Sequence, residues 1–192
     1  MSTFGSVFEL SWLDGTNGFQ INGEAAYDQS GASVASAGDV NGDGFDDLII
    51  GARGADLNGS YSGATYVVFG SGSGFDATLE LSALDGTNGF QINGEAGFDL
   101  AGQSVASAGD VNGDGFDDLI VGAGSADPNG DYSGAAYVVF GSSSVFEATL
   151  ELSGPVTVLY RSGAHVTLPS VRRPWGFSSP RLSVCGAGCR SR

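Results

Sequence analysis

The chain has 192 residues, 33 glycines and a formal net charge of −15, a length sufficient for one domain. A surface this acidic attracts cations and repels phosphate backbones, which argues against nucleic-acid binding. No apolar run reaches the roughly 18 residues of a membrane span, no signal peptide is visible at the N-terminus, and two cysteines cannot form a disulfide framework.

Charge divides the chain into two parts. All 22 acidic residues lie between Glu9 and Glu151, whereas six of the seven arginines follow residue 152. Residues 1–152, with a single arginine, therefore carry −21, and residues 153–192 carry +6. The two parts are different kinds of sequence joined near Ser153.

A repeat of 71 residues accounts for most of the acidic part. Residues 8–78 align without a gap with residues 79–149, and 55 of the 71 positions are identical. A third copy begins at residues 150–153, where Leu-Glu-Leu-Ser occurs again, and stops at Gly154. A fixed period of this length is typical of modular arrays, whose units stack because none buries its apolar face alone.

Within a unit the pattern predicts short β-strands. In chain order, residues 19–22 alternate apolar and polar side chains, residues 33–37 are small, residues 48–50 and 66–69 are apolar runs bounded by Gly, and residues 79–82 alternate again. Asn-Gly pairs between these runs favour tight turns. Four strands in about 70 residues match one blade of a β-propeller. The alternative is a β-sandwich of two related halves.

The sequence thus predicts an all-β partial propeller of two four-stranded blades, residues 8–78 and 79–149, after a lead-in of residues 1–7. Residues 150–153 would start a broken third repeat. The basic, Arg- and Pro-rich tail, residues 154–192, is interpreted as irregular or disordered, or as the product of a shifted reading frame. Because two blades leave sheet edges and apolar faces open, we expect the chain to be marginal alone, to aggregate, or to self-associate and close a ring.

Each unit contains one acidic loop with the spacing D-x-N-x-D-G-x-x-D. Oxygens at positions 1, 3 and 5 converge when a glycine at position 6 turns the chain, and a carbonyl at 7 and a carboxylate at 9 complete an all-oxygen site. The predicted ligands are Asp39, Asn41, Asp43, Asp47 and the Phe45 carbonyl in the first loop, and Asp110, Asn112, Asp114, Asp118 and the Phe116 carbonyl in the second. At position 8, Asp46 and Asp117 are expected to point away and to cap or hydrogen-bond the turn.

Calcium is the predicted ion at both sites, since Mg²⁺ requires near-ideal octahedral geometry. The loops are not EF-hands, because position 12 is Ile50 or Val121 where an EF-hand needs a bidentate glutamate. Weak sites follow, with a Kd of about 10⁻⁴–10⁻³ M, as in extracellular modules. The alternative is a metal-free turn held by its own Asp and Asn side chains, in which three carboxylates repel one another.

The loop, together with Leu-Ile-Ile-Gly-Ala at residues 48–52 and Tyr-Val-Val-Phe-Gly at 66–70, resembles an FG-GAP repeat. Such repeats form the seven-bladed propeller of integrin α subunits and occur in large bacterial surface and secreted proteins, which the long repeat resembles more. The family's Gly-Ala-Pro is here Gly-Ala-Arg at residues 51–53 and Gly-Ala-Gly at 122–124, and its Phe-Gly pair is Ser-Gly at 30–31 and Ala-Gly at 101–102.

The resemblance implies cell adhesion or the binding of an unidentified protein or glycan ligand, outside the cell or at its surface. The alternative is a structural spacer without a ligand in a giant secreted or surface protein, which the near-identity of the units favours. No enzyme is predicted, because the only histidine, His165, lies outside the repeats and the loop aspartates recur with the repeat.

Overall fold

A computed structural model describes residues 9–152, 157–159 and 165–167. Within these ranges regular structure is β-strand, apart from the 3-10 helices Leu10–Trp12 and Leu81–Ala83, and no helix is long and apolar enough to cross a membrane. The strands are β1 (Gln20–Asn22), β2 (Ser33–Gly38), β3 (Asp47–Ala52), β4 (Ala64–Val68), β5 (Thr78–Glu80), β6 (Gly89–Asn93), β7 (Ala101–Gly109), β8 (Asp118–Ala123), β9 (Ala135–Val139), β10 (Thr149–Glu151), β11 (Thr157–Leu159) and β12 (His165–Thr167).

The first blade takes strands from both sequence repeats. Its sheet has the order β10-β6-β4-β3-β2, in which β2, β3, β4 and β6 are antiparallel neighbours. The fourth strand, β6, belongs to the second repeat, and β10 adds to it in parallel. The blade is therefore offset from the repeat, and each repeat begins with a strand that completes the blade before it.

The second blade has three strands among the described residues, in the order β7-β8-β9. Both of its ladders are antiparallel, with the registers of the first blade shifted by 71 residues. The prediction of four strands holds for the first blade, whereas the fourth strand of the second blade would come from the next repeat. The sheets do not close on themselves, so the all-β partial propeller that the sequence predicts is confirmed.

Two further pairs complete the described structure. The parallel pair β1-β5 has the register of β6-β10 displaced by one repeat, and β11-β12 form an antiparallel pair within the tail. The other tail residues, to which the prediction of disorder or a shifted reading frame applies, lie outside the described residues.

The main core lies between the two blades. Val67, Phe69, Phe90 and other apolar side chains of the first blade pack on Leu119 and Val121 of the second, and all are buried. A second cluster, with Ile50, Tyr66 and Leu81, fills the opposite face of the first blade beneath β1 and β5. The alternating strand burial that the sequence predicts therefore arises from stacking of blades.

One predicted strand is shorter than expected. The alternation over residues 79–82 predicts a strand, but β5 ends at Glu80 and Leu81–Ala83 forms a 3-10 helix. The partner strand β1 ends opposite Glu80, and Leu81 turns into the second cluster, where its side chain is buried. Burial of Leu81 thus takes precedence over continued pairing.

Candidate metal centre

The predicted metal loops connect the first two strands of each blade. Residues 39–46 join β2 to β3, and residues 110–117 join β7 to β8. The glycine at position 6, Gly44 or Gly115, has φ of 91° or 95°, a region in which side-chain-bearing residues are strained. The sharp turn predicted at position 6 is confirmed.

The carboxylate at position 1 organises each loop. Asp39 accepts N–H bonds from Gly42 at 2.8 Å, Asp43 at 3.1 Å and Gly44 at 3.0 Å. Asp110 accepts the equivalent three bonds at 2.7, 3.0 and 2.9 Å. The N–H of the glycine at position 6 and its neighbours hold the pKa of the Asp110 carboxyl below its usual value.

Positions 3 and 5 form a second layer of the loop. The Asn41 side-chain oxygen accepts the Asp43 N–H at 2.8 Å, its amide donates to the Asp43 carboxylate at 3.1 Å, and that carboxylate accepts the Phe45 N–H at 2.9 Å. The second loop repeats this pattern. Each bonded carboxylate oxygen keeps a second lone pair with which to ligate a cation.

The aspartate at position 9 has a structural role that the sequence pattern did not reveal. Asp47 is fully buried, and its two oxygens accept the N–H of Val40 at 2.9 Å and of Gly70 at 2.8 Å. Asp118 is held in the same way in the second loop. These carboxylates tie the loop to the end of the third strand of the blade, and each ligates a cation only through its remaining lone pairs.

The buried carboxyl of Asp47 is expected to make stability pH-dependent. Burial raises its pKa from 3.8 to about 6, against the lowering effect of the Gly70 and Val40 N–H groups. The fold thus prefers the protonated form, and the stabilisation present below pH 3.8 is lost as pH rises through about 6. In chelator, the free energy of unfolding of the wild type relative to Asp47→Asn should fall by up to about 3 kcal/mol between these values.

Denaturant titrations at a series of pH values measure this difference. Asp46→Asn serves as the control, since it removes an exposed charge at the adjacent position. Parallel pH profiles for the wild type and Asp47→Asn would contradict the assignment.

At position 8, Asp117 joins the two loops. Its carboxylate accepts the Asp39 N–H at 2.9 Å, and its own N–H donates to the Asp39 carbonyl at 3.2 Å. Gly38 must be glycine here, because an added Cβ would lie 2.2 Å from that carboxylate. Asp117 therefore hydrogen-bonds the neighbouring loop instead of its own turn, a contact that only the stacking of blades reveals.

The loops match a hard cation in donor chemistry more closely than in arrangement. The oxygens at positions 1, 3 and 5 are at least partly solvent-accessible in both loops. Within the described ranges, however, no three carboxylate, imidazole or thiol groups converge closely enough to hold a metal ion. A bound cation would have to draw the side chains at positions 1 and 5 together.

Exposed aromatic residues occupy the opposite end of the blades. Tyr27, Tyr61, Phe98 and Tyr132 lie in the connections that face away from the metal loops, and all four are exposed. The rings of Tyr61 and Phe98, from successive repeats, stack with centroids 6.2 Å apart. These residues form the aromatic end of the molecule.

The backbone at the aromatic end is strained. All four aromatic residues have positive φ, between 55° and 73°, which is unusual for bulky side chains and recurs at functional sites. The Asp56 carboxylate offsets part of the cost by accepting the Tyr61 N–H at 2.6 Å, and Asp127 accepts that of Tyr132. The Gly-rich sequences around Tyr61 and Tyr132 were the only sequence signal for this feature.

The family profile described as FG-GAP repeat matches residues 30–68 and 101–139. The chain carries two FG-GAP repeats. The matched segments contain β2–β4 and β7–β9, which are the three strands that each blade draws from a single repeat. The predicted resemblance is thereby confirmed, and the repeats are of the integrin-α-like type.

Relatives with these repeats are much longer proteins. The chain is 37% identical over 121 residues to phosphatidylinositol-glycan-specific phospholipase D of Bos taurus, an alignment that covers 60% of the chain and 14% of the phospholipase. The corresponding values are 36% over 140 residues for the Dictyostelium discoideum protein of the same name (66% and 14%) and 33% over 126 residues for integrin alpha-5 of Xenopus laevis (63% and 11%). The alignments thus span 11–14% of these relatives.

Proposed function

We propose that the two FG-GAP repeats form a calcium-stabilised, non-catalytic binding module of the adhesion type. The observation that carries this proposal is the pair of identical acidic loops, held by the same hydrogen bonds and joined through Asp117. Their ligands would be those predicted from the sequence, namely Asp39, Asn41, Asp43, Asp47 and the Phe45 carbonyl, and Asp110, Asn112, Asp114, Asp118 and the Phe116 carbonyl.

Calcium would supply the charge that the loops lack. Residues 1–152 carry −21, and the loop side chains hydrogen-bond to backbone N–H groups and one another, with no basic side chain among their recorded partners. A divalent cation between positions 1 and 5 would relieve their mutual repulsion. Because the cation binds the folded loop only, binding stabilises the fold.

A calcium titration of the full chain tests this function. At a concentration ten times a Kd of about 10⁻³ M, each site should add about 1.4 kcal/mol, and together they should raise Tm by roughly 5–10 °C. In Asp43→Asn/Asp114→Asn the side-chain oxygen that accepts the loop N–H is kept but the charge is lost, so the rise should disappear.

The matched control is Asp76→Asn/Asp131→Asn. It removes two exposed carboxylates, one per repeat and outside the loops, and should keep the response. A wild-type Tm that does not depend on calcium, or an equal loss of response in the control, would refute the site and favour the metal-free turn.

The ligand, a protein or glycan, would bind at the aromatic end. Tyrosine offers a large rigid contact surface at low entropic cost, and such residues are enriched at recognition sites. The backbone strain at Tyr61 and Tyr132 fixes the direction of each ring before a ligand arrives. An extracellular or cell-surface location of the parent protein fits such binding and the weak calcium sites predicted.

We expect Tyr61→Asn/Tyr132→Asn to abolish ligand binding without unfolding the chain, because asparagine tolerates positive φ but lacks the ring. The measurement is capture of secreted proteins and glycans on immobilised chain, with Tyr61→Phe/Tyr132→Phe as the control that retains the rings. Equal capture by wild type and the asparagine variant would exclude the aromatic end.

A structural spacer is the second candidate. Identity at 55 of 71 positions favours it, because units that bind different ligands diverge in their loops. The spacer function predicts the calcium response but no captured ligand, so the two experiments together separate the candidates.

A further inference from the structure

We propose that copies of this chain associate head to tail, with β9 of one copy pairing with β1 of the next. This association requires neither a bound cation nor a ligand, so it is independent of the proposed function. It specifies which edges meet and in which register.

The first blade provides the template. Its five-stranded sheet joins three strands of one repeat, β2-β3-β4, to the parallel pair β6-β10. The chain contains the same two parts a second time, unjoined: β7-β8-β9 corresponds to β2-β3-β4, and β1-β5 corresponds to β6-β10. One copy thus presents the three-stranded part at one end and the two-stranded part at the other.

The pairing edge of β1 is an unused copy of β6. Residues 15–25 are identical to residues 86–96, yet β6 has five residues and β1 only three. Phe90 of β6 is buried, whereas its counterpart Phe19 is only half-buried. Because the sequences are the same, the difference arises from the neighbour: β6 pairs with β4, and β1 has no such partner among the described residues.

The edge of β9 is an unused copy of β4. Val67 and Phe69 are 0% and 7% exposed, whereas their counterparts Val138 and Phe140 are 47% and 49% exposed. The same face of the second blade also exposes Val111 and Ile120, whose counterparts Val40 and Ile49 are buried between the blades. An apolar surface of this kind is normally covered by a neighbouring unit.

A second copy provides the matching surface. Leu48 is exposed on the outer face of the first blade, and its counterpart Leu119 is buried against that blade's other face. The front of one copy and the back of another therefore repeat the two sides of the contact already present within the chain.

The contact within the chain also gives the register. Displacing the β4·β6 ladder by 71 residues pairs Ala135 with Asn22, Tyr137 with Gln20 and Val139 with Gly18 of the next copy. At the metal loops, Asp46 of the next copy would accept the Asp110 N–H, as Asp117 accepts that of Asp39 within one chain.

Such a contact joins different surfaces, so repeated copies form a closed ring or an open filament. Propellers close with about four to eight blades. Copies of two blades each therefore reach closure at two to four copies.

Light scattering after size exclusion of the full chain tests the association. We expect two to four copies of the 19.3-kDa chain in the wild type. Val138→Arg blocks the back edge and Leu48→Arg the front face, and each variant alone should be monomeric. An equimolar mixture should form a two-copy species and nothing larger, since only one intact back and one intact front remain.

The matched control is Val145→Arg. Val145 is exposed, and its counterpart Gly74 has no atom within 4 Å of an added Cβ, so this position lies outside the blade contact. A monomeric wild type, single variants that still assemble, or a mixture that stays monomeric would each overturn the inference. Should Val138→Arg fail to melt cooperatively, Val111→Arg on the same face replaces it.

Discussion

Truncation of Phe90 to alanine should lower the free energy of unfolding by about 3–5 kcal/mol. The ring is buried where the two repeats meet and stacks on Phe146 with centroids 4.5 Å apart. It also contacts Phe69 at 5.9 Å. Its removal leaves a cavity between rigid strands, which cannot collapse to fill it. Denaturant titration in excess calcium measures the loss.

Phe19 provides a control with the same local sequence. It stacks on Phe75 at 4.2 Å but is only half-buried, so Phe19→Ala should cost less than half as much as Phe90→Ala. Both variants are compared in the Val138→Arg background, in which head-to-tail association would not bury Phe19. Equal losses would contradict the asymmetry between β1 and β6.

The second large effect is expected at Asp118. This buried carboxylate accepts the N–H of Val111 and of Gly141, each at 2.9 Å. In Asp118→Ala both donors lose their acceptor, at a cost of about 2–5 kcal/mol in total. Thermal and denaturant unfolding in chelator isolate this structural role from any role in binding a cation.

Asp131→Ala is the comparison for Asp118→Ala. Asp131 is exposed and lies in the same repeat, so its loss should change stability by less than about 0.5 kcal/mol. A small effect of Asp118→Ala in chelator would mean that the carboxylate does not anchor the loop in solution.

The strand content and the metal-loop turn could be predicted because they depend on local sequence. Apolar runs such as residues 48–50 and 66–69 became strands, and Gly44 adopts the positive φ that its position required. Periodicity and turn chemistry act over a few residues and do not depend on what lies next to the blade.

The phase of the blade could not be predicted. A period of 71 residues gives the length of a unit but not the residue at which a blade starts. Phe19 and Phe90 occupy identical local sequences, yet only the second is buried in the core. Their difference arises from long-range pairing with β4, which no local pattern encodes.

The candidate site was predictable in its residue types but not in the role of each residue. The spacing of Asp39, Asn41 and Asp43 implies oxygen donors on one loop, whereas the bonds from Asp47 to Val40 and Gly70 depend on how the loop meets the end of β4. The partner of Asp117 lies 78 residues away in the other repeat, beyond any spacing rule.

The offset of blade and repeat has a consequence for biosynthesis. When the ribosome has added residue 78, the first repeat is complete, but the edge of β4 still lacks the strand formed by residues 89–93. The first blade can close only after translation has entered the next repeat. Each nascent blade thus exposes an unpaired apolar edge for a short interval, and its successor in the polypeptide is the segment that protects it.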